Sequence, residues 1–174
     1  MRVIAEGPRM FRFQCKVCEN WHEGMPGFGS DAPLHLYHIP TAERPVRCAL
    51  TGDTCIIDET AFFVQGNIEI PVHDADEPFA WGVWVSLSQK NFLEFVALLN
   101  VSEREGYGPY FGWLSAGFKV YPDTADLKTK VHLRARGQRP SIELEPTEHP
   151  LAVEQRTGIS VERLAEIYAA YVHS

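Results

Sequence analysis

The sequence predicts an α+β fold: a mainly antiparallel sheet of about five to seven strands, packed by a central helix and C-terminal helices, with a small loop-rich N-terminal module. Three observations predict it. Phe79 to Leu87 alternates as a strand with one fully apolar face. Phe92, Phe95, Val96 and Leu99 then fall at i, i+3, i+4 and i+7, the stripe of an amphipathic helix. Residues 127–145 carry two alternating runs around a glycine turn, and the chain after Pro150 returns to helical spacing. The 174 residues fit one domain, 1–174, with a cysteine-bearing module over 9–60 and an α+β body over 61–174.

Residues 9–40 hold many turn formers, Pro26-Gly27-Phe28-Gly29-Ser30-Asp31 among them, and room for one short strand or hairpin. Between Ile56 and Val72, Phe62, Val64, Ile68 and Ile70 share one parity while Gln65, Asn67 and Glu69 take the other. Gly66-Asn67 inside that run suits a bulge or a tight turn. Ser88 is placed to cap a helix from about Ser88 to Asn100, and Tyr110 to Phe118 reads as another strand. Leu127, Thr129, Val131, Leu133 and Ala135 line one strand face, with Lys128, Lys130, His132, Arg134 and Arg136 on the other. A two-residue turn at Gly137-Gln138 would set Leu133 opposite Ile142, His132 opposite Glu143 and Lys130 opposite Glu145. Pro140, which has no N–H, predicts a sheet edge. Pro150 opens a short helix ended by Gly158, and Ser160 caps a last helix that buries Val161, Leu164, Ala165, Tyr168 and Val172.

Several of these stretches resemble a known family. Trp81-Gly82-Val83-Trp84-Val85-Ser86-Leu87-Ser88, Tyr110-Phe111-Gly112-Trp113-Leu114 and above all Tyr121-Pro122-Asp123-Thr124 are similar to bacterial proteins grouped as domain of unknown function 2199. So are Gly137-Gln138-Arg139-Pro140, Ile142-Glu143-Leu144-Glu145-Pro146-Thr147 and His149-Pro150-Leu151-Ala152. The resemblance covers nearly the whole chain and supplies no activity. It implies that relatives carry the Cys15, Cys18 and His22 pattern and a cysteine like Cys55, whereas Cys48 is not part of that pattern.

Cys15-Lys16-Val17-Cys18, with His22 four residues on, is a ligand pair of the zinc-ribbon kind. A second C-x2-C is missing, and Cys48 and Cys55 stand well downstream. Three closures follow: the four cysteines; Cys15, Cys18, His22 and Cys55; or the pair with His22 and one of His35 and His38. The favoured set is Cys15, Cys18 and Cys55, with His22 or Cys48 fourth, holding a structural zinc in a zinc-ribbon-like module. Reduced, packed thiols are the plain alternative. Thioredoxin-like redox chemistry needs a strand-to-helix context, and turn formers follow Cys18 instead.

Composition narrows the partners. A formal net charge of -7 argues against nucleic acid and leaves room for a protein partner. No run approaches a membrane span, and Met1 to Pro8 lacks a signal-peptide pattern, so a cytoplasmic protein with free thiols or metal ligands is expected. Leu151 to Leu164 is not a DNA-reading helix pair, because Ala152 and Gly158 stand too far apart. Cross-strand pairing with Glu143 and Glu145 accounts for part of the cationic hairpin face, but Lys128, Arg134 and Arg136 have no acid directly opposite, so a ligand or partner could use Lys128, His132, Arg134 and Glu143, with His149 nearby in sequence. Trp84, opposite the apolar stripe, joins that set as a stacking residue. The reading is a binding or interaction protein with a structural zinc. A small hydrolase-like enzyme using His132, Glu143 and His149, and a structural subunit of a homo-oligomer, are the alternatives.

Overall fold

The computed structural model describes residues 10–173. Residues 1–9, which hold the segment inspected for a targeting signal, and residue 174 lie outside the described residues. In chain order the strands and helices are β1 (Arg12–Gln14), β2 (Trp21–Glu23), β3 (Gly27–Gly29), α1 (Leu34–Tyr37), α2 (Arg44–Arg47), β4 (Cys48–Leu50), β5 (Thr54–Ile57), β6 (Ala61–Ile70) and β7 (Phe79–Leu87). Then follow α3 (Gln89–Ala97), β8 (Tyr110–Leu114), β9 (Lys128–His132), β10 (Ser141–Leu144), α4 (Pro150–Thr157) and α5 (Val161–Val172). Among the described residues no helix is long and apolar enough to cross a membrane.

The expected mixed α+β fold is present, but its sheet closes. Strands β6 to β10 pair in succession, all antiparallel, and β10 returns to β6 through one parallel bridge, Ser141 opposite Asn67. The result is a five-stranded barrel. Strand β3 extends it beside β7, in parallel, and β5 and β4 extend it beside β6. The loop-rich stretch before residue 60 thus divides: β1 and β2 make a separate antiparallel hairpin, while β3, β4 and β5 belong to the main sheet.

Strand β6 runs unbroken through Gly66-Asn67, so the expected bulge or turn is absent. A side chain at Gly66 would stand 2.6 Å from the Ile142 side chain and 2.8 Å from the Pro140 carbonyl oxygen. The glycine is there because β10 must approach closely. Pro140 is not at an open edge: its carbonyl accepts from Asn67 N–H at 2.9 Å, a bond that needs no proline donor. Gly112 has the same role in β8, where a Cβ would run into the Val85 side chain and the Ser86 carbonyl oxygen of β7.

The alternation along β7 feeds two cores. Phe79, Trp81, Val83, Val85 and Leu87 join the main core with α3, α4 and α5. Trp84 points the other way, into a second cluster with Leu36, Cys55, Ile57 and Phe63. The N-caps form where the sequence put them: Ser88 accepts from Asn91 N–H and Ser160 from Arg163 N–H. The buried faces differ in detail from the predicted stripes. Leu98 rather than Val96 is buried at the end of α3, and Ile167 rather than Val172 in α5.

The β9–β10 register is offset by two from the predicted one: Val131 faces Ile142, Lys130 faces Glu143, and His132 faces Ser141. An offset of two keeps every side chain on its face, so alternation alone cannot tell the registers apart. The cause is a wider tip. Gln138 N–H donates to the Ala135 carbonyl at 3.0 Å, and Gly137, at φ 86°, supplies the positive φ that a type II turn needs at its third residue. Buried Arg104 holds the tip open from below, donating to the carbonyls of Arg134, Ala135 and Gln138 while also tying those of Leu98 and Leu99.

Candidate metal centre

The β1–β2 hairpin turns through a tight knuckle. Cys15 N–H donates to the Asn20 carbonyl at 2.9 Å, the Gln14 side-chain amide donates to the Glu19 carbonyl at 2.9 Å, and Glu19 adopts φ 58°. Cys15 and Cys18 sit on this knuckle. The hairpin rests on α5: Phe13 packs against Tyr168 at a ring separation of 5.0 Å and stacks on His22 at 5.5 Å. Lys16 reaches Glu162 at 3.1 Å.

The C-terminal end of α5 arrives beside the knuckle. One ligand atom each from Cys15, Cys18 and His173 lies within 4.8 Å of the other two. Neighbouring ligands of a tetrahedral zinc stand about 3.3–3.8 Å apart, so small side-chain adjustments would close the three on an ion. Cys15 is buried, Cys18 half-buried and His173 exposed. Burial pushes the Cys15 thiol up, but hydrogen bonds from the backbone at Cys18 and Val17, with the Cys18 and His173 side chains, outweigh it and bring it to about 7. A thiolate is the form that binds metal. His22 stands next to this group, its Nε2 3.8 Å from Cys18 Sγ and its Nδ1 3.4 Å from the Tyr168 hydroxyl.

Cys48 and Cys55 lie elsewhere, on paired strands β4 and β5 at the outer edge of β6, and neither belongs to the Cys15, Cys18 and His173 group. Cys55 is fully buried in the second core, and burial first, then the neighbouring Cys48, pushes its thiol up to about 11. His35 lies in α1 with Nδ1 2.7 Å from the buried Ser115 hydroxyl, and His38 sits beside it. Sequence spacing singled out Cys15, Cys18 and His22 and missed His173, which no motif links to them across the length of the chain.

The charged hairpin residues occupy the outer face of the barrel. His132 Nε2 and Glu143 meet at 2.8 Å on the diagonal, both partly exposed. Arg134 pairs with Glu69 of β6 at 2.8 Å, and Lys128 lies over the exposed Trp113 ring at 6.0 Å. His149 is a structural cap: Nδ1 accepts from Leu151 N–H, so Nε2 carries the proton and donates to the Asp123 carbonyl at 3.0 Å. Trp84 is 1% exposed and its Nε1–H donates to the Ser30 carbonyl at 2.9 Å, which makes it a core residue with no free ring face.

Fold and site together define a mixed α+β protein with a five-stranded barrel and a cysteine–histidine cluster able to hold a metal ion. The chain belongs to the family described as an uncharacterized protein conserved in bacteria (DUF2199), whose model matches residues 14–159. The matched region includes Cys15 and Cys18 and ends before His173. No curated protein matches the chain. No solved structure matches it.

Proposed function

We propose that the protein is a binding protein whose N-terminal hairpin is clasped to α5 by a structural zinc ion. The convergence of Cys15, Cys18 and His173 carries this reading. Two thiolates with imidazole nitrogen are a zinc donor set. His22 supplies the fourth ligand through Nε2, while its Nδ1–H donates to the Tyr168 hydroxyl, the kind of outer partner that orients a ligating histidine. Four protein ligands leave no open position for water, so the ion acts as a clasp and not as a Lewis acid in catalysis. All four cysteines are free thiols, which suits a reducing compartment and supports a cytoplasmic location. The enzyme reading loses support because both ring nitrogens of His149 are engaged by backbone groups.

Elemental analysis of native-purified protein tests the clasp. One zinc per chain is expected in the unaltered protein and in Cys55→Ser, and none in Cys15→Ser with Cys18→Ser. Zinc weakened by His173→Ala would identify the C-terminal ligand. Metal-free protein under reducing conditions, or zinc lost in Cys55→Ser and kept without Cys15, would overturn the assignment.

A further inference from the structure

Two cavities share Arg139 in their walls. The larger, about 480 Å³, lies between the end of α3 and the β9–β10 tip, and Arg136 and Arg139 line it. The smaller, about 380 Å³, lies over β3, β7 and β6, and Arg139 lines it too. Among the described residues, Arg136 and Arg139 are the two arginines with no ion pair, hydrogen bond or ring contact. The loop that carries them is nonetheless fixed, because Arg104 locks its carbonyls. Two unpartnered guanidiniums on a fixed loop at a cavity are pre-organised for a phosphate or carboxylate.

The smaller cavity has a second feature. Its floor is nearly bare backbone, from Gly27, Gly29, Ala80 and Gly82. Gln65 lines it, is 8% exposed, and its buried Oε1 has no hydrogen-bond partner. The Gln65 amide nitrogen stands 3.8 Å from where a Gly82 Cβ would be, on the floor side. A flat surface bordered by an amide whose acceptor no protein group uses suits a planar heterocycle, whose ring edge Gln65 would meet by rotating its buried Oε1 toward the cavity. Asp53 and Asp31 also line the two cavities, so a bare anion is opposed there and an organic head must contribute to affinity. The net charge of -7 works against a nucleic-acid polymer, whereas one phosphate can be met locally by two arginines.

We infer that the two cavities, which meet at Arg139, bind a mononucleotide, its phosphate at Arg136 and Arg139 and its base over the glycine floor at Gln65. This names a ligand class for the binding role proposed above. Neither cavity is lined by Cys15, Cys18, His22 or His173, so the two assignments fail separately.

Isothermal titration of the full chain with each of the four ribonucleoside 5′-monophosphates, and with inorganic phosphate, tests the inference. At least one nucleotide is expected to bind tenfold or more tightly than phosphate. Arg139→Gln should weaken it at least tenfold, and Gln65→Leu should reduce the discrimination between bases, with zinc content and melting temperature of Arg139→Gln unchanged. Arg136→Gln, an exposed substitution, keeps the test open if Gln65→Leu fails to fold. Absence of nucleotide binding at millimolar concentration, equal binding of phosphate and nucleotides, or affinity insensitive to both arginine substitutions would overturn it.

Discussion

Arg104 is 3% exposed and, among the described residues, answers its charge with five backbone carbonyl contacts and no carboxylate. Hydrogen bonds to a charged group contribute about 1.5–3 kcal/mol each and are not additive. Arg104→Met should therefore cost at least about 3 kcal/mol in urea unfolding, and Arg104→Lys should not restore it, since an ammonium lacks the planar fork. Nothing around this residue in the sequence marks it, because its partners are carbonyls that every residue owns. His173 was hidden for a related reason: its partners stand at the other end of the chain. Cys15 and Cys18 were legible because their spacing is itself the signal. Cys55 yields a pH prediction. Its folded thiol sits near 11, above the 9.0 of an unperturbed cysteine, so the unfolded chain gives up its proton first. Its contribution to stability is complete below pH 9.0 and is lost as pH rises towards 11. Urea midpoints of the unaltered protein should fall more steeply over that window than those of Cys55→Ala.

At the level of elements, period and caps were readable because they are local. Ser88→Ala and Ser160→Ala should each cost about 1 kcal/mol, measured by chemical denaturation, because each hydroxyl accepts from an otherwise unpaired helix N–H. The β9–β10 faces were readable and the register was not, because a shift of two residues changes no face and the deciding contact comes from Arg104, outside the hairpin. Gly66 of β6 looked like an interruption, and it proves, like Gly112 of β8, to be a point of close approach. Gly112→Ala should destabilise by more than about 3 kcal/mol, the upper end for forced overpacking, because the clash includes the Ser86 carbonyl, which cannot rotate away. An insoluble or molten variant would agree; a melting temperature within a degree of the unaltered protein would refute the steric account.

For the whole molecule, the sequence conveyed an antiparallel α+β chain but not a barrel. Closure rests on one parallel bridge between Ser141 and Asn67, strands far apart in sequence, and it leaves no periodic trace. The proposed clasp is likewise a property of the assembled molecule. Zinc at one hundred times its dissociation constant adds about 2.7 kcal/mol, so chelation should lower the melting temperature by roughly 5–11 °C. Limited proteolysis of chelated protein should cut first between residues 15 and 24, with the barrel body persisting. The packing of β1 and β2 on α5 also sets an order of events during synthesis. The hairpin leaves the ribosome well before its seat, since Tyr168 and the histidine beside it are made roughly 150 residues later, about 8–30 s at bacterial-to-eukaryotic elongation rates. Until then Phe13 has no aromatic neighbour from α5, and the two thiols wait without their distant nitrogen. The hairpin therefore settles only after α5 is made, and a chain stalled before that helix would display it unseated, with Cys15 uncovered.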